Sequence, residues 1–424
     1  MQIVNTVRTT EITAFPYVPI NTKCPGWIVL KITCYRFQCD ISLLSAYINI
    51  FMAKDTLCSM IWNHQFIDGS GRVKPCCRFQ GNLGQLEGDI DLNFNNEKMS
   101  AVRKSMIAGE RHPGCTRCWQ EEDSGKKSLR QRYNQHAKLG IETIAKDAPR
   151  IEWLELAISN DCNLACRMCD SRYSHKIFAE EFEYYGKTFT QTARTKMPVE
   201  SVFPHVPNLK HLKITGGEPL ITPDHWRLLD YIIDEGHAHH IYLNYSTNCT
   251  VYPKQHIVDR WRKFEYIELA ISLDSIVPQE NEYLRHGTKQ EEVVANIQRF
   301  VELQKEIDLH VIARPTVTLL NVYHLPETLE WLDDMNIRHN ATHLAYPEHL
   351  SVTVLPQSAK QLVSEKFANY DFKNDLTRKS CEYIANYMNS EDNSSKLPEF
   401  KRHTEFLDSS RGQSFKESYP YFDF

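Results

Sequence analysis

Cys162, Cys166 and Cys169 stand at the spacing CxxxCxxC within Ser159-Asn160-Asp161-Cys162-Asn163-Leu164-Ala165-Cys166-Arg167-Met168-Cys169-Asp170, directly after an apolar run. That spacing suits one compact loop around one metal centre. Three thiolates can hold three irons of a [4Fe–4S] cluster and leave the fourth with an open coordination position. Such an iron can bind a small molecule and pass it an electron. Zinc loops usually pair CxxC with a second CxxC or with histidines; three unrelated buried thiols are the other alternative.

A second cysteine group lies upstream. Cys58 is followed by twelve residues, Gly71, four residues and Cys76, and Cys115-Thr116-Arg117-Cys118 comes later. Cys58, Trp62, His64 and Phe66 suggest a strand, and Asp68-Gly69-Ser70-Gly71 is a hairpin turn signal. A hairpin presenting Cys58 and Cys76 near one end could meet the CxxC knuckle in a four-thiolate site for zinc or an Fe–S cluster. Cys77 is awkward, because successive side chains on a strand point to opposite faces; it is read as a packed thiol or an alternate ligand. His64 and His112 are further candidate ligands, although a lone histidine beside a turn is more often a surface residue.

The elements that must position these residues change character at Ile151. Residues 151–159, 209–215, 241–246, 266–273, 310–318 and 340–345 read as six strands. Helical patterns lie between them, over 224–235, 291–307 and 325–334. This alternation implies βαβ units and a parallel sheet, with ligand groups at the C-terminal strand ends. Gly216-Gly217-Glu218-Pro219 follows the second strand: the glycines permit close backbone approach to a ligand, Glu218 can accept from an ammonium group, and Pro219 stiffens the turn. Ser272-Leu273-Asp274 closes the fourth strand, where an N-cap is the plainer reading. Thr247-Asn248 follows the third. Arg314, within the fifth, is costly to bury unless paired. The polar stretch with Lys126, Lys127, Arg130 and Arg132 reads as a solvated linker helix.

CxxxCxxC followed by GGEP resembles the radical S-adenosylmethionine (SAM) superfamily. The resemblance implies an α/β fold, a partial (β/α)6 barrel over 151–346 preceded by a cysteine-rich segment over 53–125; the residues themselves read as a linker helix over 126–150 and a helical, polar region over 347–424. The resemblance also implies a [4Fe–4S] cluster on Cys162, Cys166 and Cys169 whose open iron chelates SAM; one-electron reduction then yields a 5′-deoxyadenosyl radical that abstracts hydrogen from a substrate. Gly216, Gly217, Glu218 and Pro219 would bind the SAM amino group, Ser272 and Asp274 would lie near the ribose, and Asn248 belongs to the family's Thr-Asn turn. Met168 would contact the adenine by its backbone, and Arg314 would take the SAM carboxylate. The upstream pattern resembles the twitch domain, the half-sized relative of the SPASM domain, which implies an auxiliary [4Fe–4S] cluster on Cys58, Cys76, Cys115 and Cys118. The twitch domain usually follows the radical SAM domain, so this order is permuted. Expected partners are a one-electron reductant such as flavodoxin or ferredoxin, and a peptide, protein or small-molecule substrate, with a peptide or protein favoured. No spacing selects a general base.

Bulk properties narrow the rivals. A net charge of −5 gives no general attraction to nucleic acid or membrane. The apolar run 41–53 is too short to span a bilayer and lacks the basic flank of a signal peptide. Thirteen cysteines in clustered spacings fit metal ligation in a reducing cytoplasm better than a secreted disulfide scaffold. Residues 1–52 match no interpretable pattern, and Cys24, Cys34 and Cys39 have no useful spacing. Translation from Met52 would make residues 1–51 an artefact of the assigned start; a genuine subdomain is the other reading. Two rival functions remain: a non-catalytic zinc or redox-sensing module on the same fold, and a nucleic-acid-modifying relative supported only by the basic stretch.

Overall fold

A computed structural model describes residues 55–86, 88, 90–123, 125, 127–136, 148–186, 189 and 197–424. Met52, Cys24, Cys34, Cys39 and Lys126 lie outside the described residues. The strands are β1 (His64–Ile67), β2 (Arg72–Lys74), β3 (Gly84–Gln85), β4 (Trp153–Ser159), β5 (Ala165–Cys166), β6 (His211–Gly216), β7 (Tyr242–Thr247), β8 (Tyr266–Ile271), β9 (Arg285–His286), β10 (Leu309–Ala313), β11 (Thr316–Val317), β12 (Arg338–His339) and β13 (Thr342–His343). The fold is mixed α/β around a parallel sheet.

The main sheet has the order β12-β10-β8-β7-β6-β4-β1-β2-β3. Its first seven strands run parallel, and β2 and β3 close one edge antiparallel. The upstream cysteine segment therefore joins the sheet through β1, which pairs with β4. From β4 to β12 the order follows the chain without reversal.

Each central strand alternates. Leu154, Leu156, Leu212, Ile214, Leu243, Ile267 and Leu269 are fully buried, while the intervening residues carry polar and aromatic groups. In register, Trp153, His211, Tyr242 and Tyr266 form an aromatic row, with ring centroids 3.5, 4.7 and 5.3 Å apart. The next row is Glu155, Lys213, Asn244 and Glu268, in which Lys213 Nζ meets Glu155 at 2.6 Å. A parallel sheet apolar on both faces would read as continuous hydrophobic runs; this alternation marks one packed face and one polar face.

Four expectations change. The predicted strand 310–318 breaks after Ala313, because Pro315 has no N–H for the ladder. Beyond it Thr316–Val317 pairs with Thr342–His343 in a separate two-stranded ladder, so the sixth sheet strand is Arg338–His339 rather than 340–345. Upstream, Met60–Asn63 is a helical turn and the strand starts at His64. The helix Leu129–His136 is not a solvated face: Arg130 is buried against Glu122 at 2.7 Å and donates to the Leu57 carbonyl.

The C-terminal helices Gln357–Asn369, Asp375–Met388 and Leu397–Arg411 follow. The last reaches back to the cysteine loop through Arg167–Asp408 and Arg411–Glu180. Among the described residues no helix is long and apolar enough to cross a membrane.

Candidate functional site

The loop after β4 gathers Cys162, Cys166 and Cys169 into one small group with Leu164 and Met168. Ser174 accepts from Ile177 N–H and so caps the helix His175–Tyr185 that ends the loop. Burial drives the Cys162 thiol up to about 12 and also raises Cys166 and Cys169; neighbouring thiols add to the rise at Cys162 and Cys169, and Asp274 adds to it at Cys166. For Cys166, Arg285 and Arg411 act in the opposite direction. Thiols held protonated by one another and by burial are what a bound metal reverses, since it ligates the thiolates.

Glu218 organises the strand ends beside this loop. Its carboxylate is fully buried and accepts from Leu220 N–H at 3.0 Å, Thr247 Oγ1 at 2.8 Å and Asn248 N–H at 2.7 Å. Burial raises its pKa, opposed by these hydrogen bonds. Gly216 and Gly217 have a local packing role. A Cβ on Gly217 would lie 2.0 Å from the Asp161 carbonyl oxygen, and Gly216 has φ +123° with its Cβ position 2.4 Å from the Ser159 oxygen. Gly217 N–H donates to Ser159 and Glu218 N–H to Asp161, at 2.7 and 2.8 Å. The glycines thus let the two loops touch backbone to backbone. Pro219 starts a short 3-10 turn over Pro219–Ile221.

Asn248 links the third strand to the cysteine loop: its side-chain amide donates to Asn163 at 2.9 Å and lies 3.9 Å from Cys162 Sγ. Ser272, half-buried, donates its backbone N–H to Thr247. Asp274 is fully buried, accepts from Thr316 N–H at 2.8 Å and pairs with Arg285 at 2.6 Å. Arg285 was not singled out from sequence. It stands opposite Cys166 in the β5–β9 ladder and approaches Cys166 Sγ at 3.7 Å. The available signal was a lone arginine shortly after Ser272-Leu273-Asp274. Arg314 lies just past β10 and is half-exposed, with its guanidinium on Glu268 at 2.7 Å.

The four upstream cysteines also converge. Cys58, Cys76, Cys115 and Cys118 line one small cavity, with Phe79 and Arg130 among its other walls. Burial first, then the neighbouring thiols, raises Cys58 and Cys115 to about 12. Cys77 is exposed, with Glu155 and Lys213 as electrostatic neighbours. Neither histidine points into the cavity. His64 is buried, not on the surface, with Nδ1 on the Pro75 carbonyl at 2.9 Å, and His112 caps Gly114 N–H while stacking on Phe79. Among the described residues, no group of three or more His, Cys, Asp or Glu side chains is drawn tightly enough for a single ion.

Comparison with known proteins places these observations. Residues 156–335 match the model of the Radical SAM superfamily. The mycofactocin maturase MftC of Mycobacterium tuberculosis (strain CDC 1551 / Oshkosh) is 30% identical over 140 residues, 33% of this chain and 31% of that protein. MftC of Mycobacterium ulcerans (strain Agy99) is 30% identical over 139 residues, 33% of each chain. The match thus spans about a third of the length of these relatives. Among solved structures, native anSMEcpe with bound AdoMet has TM-score 0.35 and 16% identity over 50% of this chain and 59% of that one. Streptococcus suis SuiB bound to precursor peptide SuiA has TM-score 0.37 and 15% identity over 65% and 60%. The residues that match the Radical SAM superfamily model, 156–335, run from within β4 through the cysteine loop and the Glu218 turn to the helix before β12.

Proposed function

We propose that the chain is a radical SAM enzyme acting on a peptide or protein. When bound, a [4Fe–4S] cluster and SAM would supply one-electron cleavage and a hydrogen-abstracting 5′-deoxyadenosyl radical. Cys162, Cys166 and Cys169 would hold the cluster. The observation that carries this reading is their convergence beside the Glu218 turn, with Asn248 bridging the two. Gly216 to Pro219, Asn248, Ser272, Asp274 and the Met168 backbone would surround SAM. Glu218 already holds three donors, but its Oε2 accepts only from Asn248 N–H and keeps a site for the ammonium group. Arg314 would reach the SAM carboxylate only with N–H groups its Glu268 pair leaves over. The chain-order run from β4 to β12 suits a partial barrel, whose polar face would receive substrate. The maturase relatives favour a peptide substrate.

The reading includes an auxiliary [4Fe–4S] cluster on Cys58, Cys76, Cys115 and Cys118 in a twitch-like segment. What supports this part of the reading is that the four thiols line one cavity; a four-thiolate site fits an Fe–S cluster or zinc. Iron and sulfide per chain, measured after anaerobic reconstitution, test both sites. The wild type should hold about eight irons, falling to about four in Cys162→Ala/Cys166→Ala/Cys169→Ala. About four falling to none would hand the upstream cysteines to zinc or to no metal. Zinc with no iron in the wild type would sink the enzyme reading in favour of the zinc module.

A further inference from the structure

Cys166 and Arg285 are opposed residues of an antiparallel pair, so their side chains project to one face. Arg285 Nη1 approaches Cys166 Sγ at 3.7 Å, and its Nη2 rests on Asp274 Oδ2 at 2.6 Å. Asp274 has no freedom to move away: it is fully buried and fixed by Thr316 N–H. Arg285 Nε is buried with no acceptor. A guanidinium on a rigid buried carboxylate is therefore presented to one cysteine of the loop. No other arginine is hydrogen-bonded to a loop thiol among the described residues.

We propose that Arg285 is a positioning residue that donates a charge-assisted hydrogen bond to the Cys166 thiolate and sets the reduction potential of the cluster bound there, with Asp274 as its counter-charge. This rests on the cluster assignment above. Reduction adds one electron, supplied by a low-potential one-electron donor, and makes the cluster more negative. A fixed cation and its N–H groups stabilise the reduced state more than the oxidised one, which raises the potential. The dry surroundings strengthen the effect. Asp274 holds the guanidinium in place and offsets part of its charge. The two residues must then act with opposite sign.

The test is potentiometry on the anaerobically reconstituted full chain, followed by electron paramagnetic resonance, with iron counted in parallel. The loop cluster is identified as the signal that changes shape when SAM is added, and its potential is measured without SAM. Arg285→Gln is expected to lower the midpoint, Arg285→Lys to fall between it and the wild type, and Asp274→Asn to raise it, all with the loop iron retained. Equal midpoints in wild type and Arg285→Gln overturn the proposal, as do shifts of Arg285→Gln and Asp274→Asn in the same direction. Loss of loop iron from both Arg285 variants also overturns it, because the guanidinium would then be only structural. A wild type without loop iron overturns the cluster assignment itself, and is distinguished by the iron count alone.

Discussion

The two cysteine groups are built in opposite ways. Cys162, Cys166 and Cys169 share one loop, and what folds around them comes from afar: Glu218, Asn248, Arg285 and, through Arg167, Asp408. Cys58, Cys76, Cys115 and Cys118 come from separate pieces, yet their surroundings are nearby in sequence: Phe79, Leu129 and Arg130. The first group has its cysteines fixed by chain connectivity and its environment by the tertiary fold. The second depends on tertiary packing even to exist.

The most disruptive way to break the comparison is to remove one group and watch the other. Cys115→Ser/Cys118→Ser should cost about four irons, as a four-thiolate cluster requires, while SAM cleavage to 5′-deoxyadenosine persists. Loss of both clusters, read by iron analysis and product chromatography, would mean the two sites fold as one.

Next in size is the lid on the upstream cavity. Arg130 and Glu122 are both buried. Removing one partner of a buried pair costs about 3–5 kcal/mol, so Arg130→Ala should destabilise the chain by that order in denaturant unfolding. Glu218 is the counterpart at the loop. Glu218→Ala strands three donors, each worth about 1–3 kcal/mol when buried unsatisfied, and partial rescue by water brings the expected loss to roughly 2–4 kcal/mol.

The scaffold common to both sites has its own pH signature. His225, fully buried under Tyr245 with Nδ1 on the Thr222 carbonyl, is depressed by burial to about 3. The folded state therefore refuses a proton that the unfolded histidine takes up near its ordinary pKa of about 6.5. Its contribution is complete above that value and is lost as pH falls towards 3. In His225→Gln, stability followed against pH should decline less steeply over this window than in the wild type. The smallest effect is expected at Arg314. Its ion pair with Glu268 is half-exposed, so Arg314→Gln should change unfolding stability by no more than about 1 kcal/mol.

Legibility followed the range of the interactions. The helix over residues 325–334 was readable because its apolar face and starting Leu-Pro are local, and the observed helix is Leu325–Asp334. The break at Pro315 was equally local, but the apolar residues on both sides concealed it. Arg130 read as a solvent charge because nothing near it in sequence announces Glu122 as a buried partner.

By itself the sequence determined the alternation of strands and helices, the cysteine spacing and the Gly-Gly-Glu-Pro turn, because periodicity and ligand spacing act over a few residues. Only the tertiary structure decided that β1 joins β4, that four distant thiols share a cavity, and that Gly217 clears room for Asp161. It alone set Arg285 against Cys166. These contacts depend on which strand ends meet, which is fixed by sheet order and the burial of its apolar face rather than by any local run of residues.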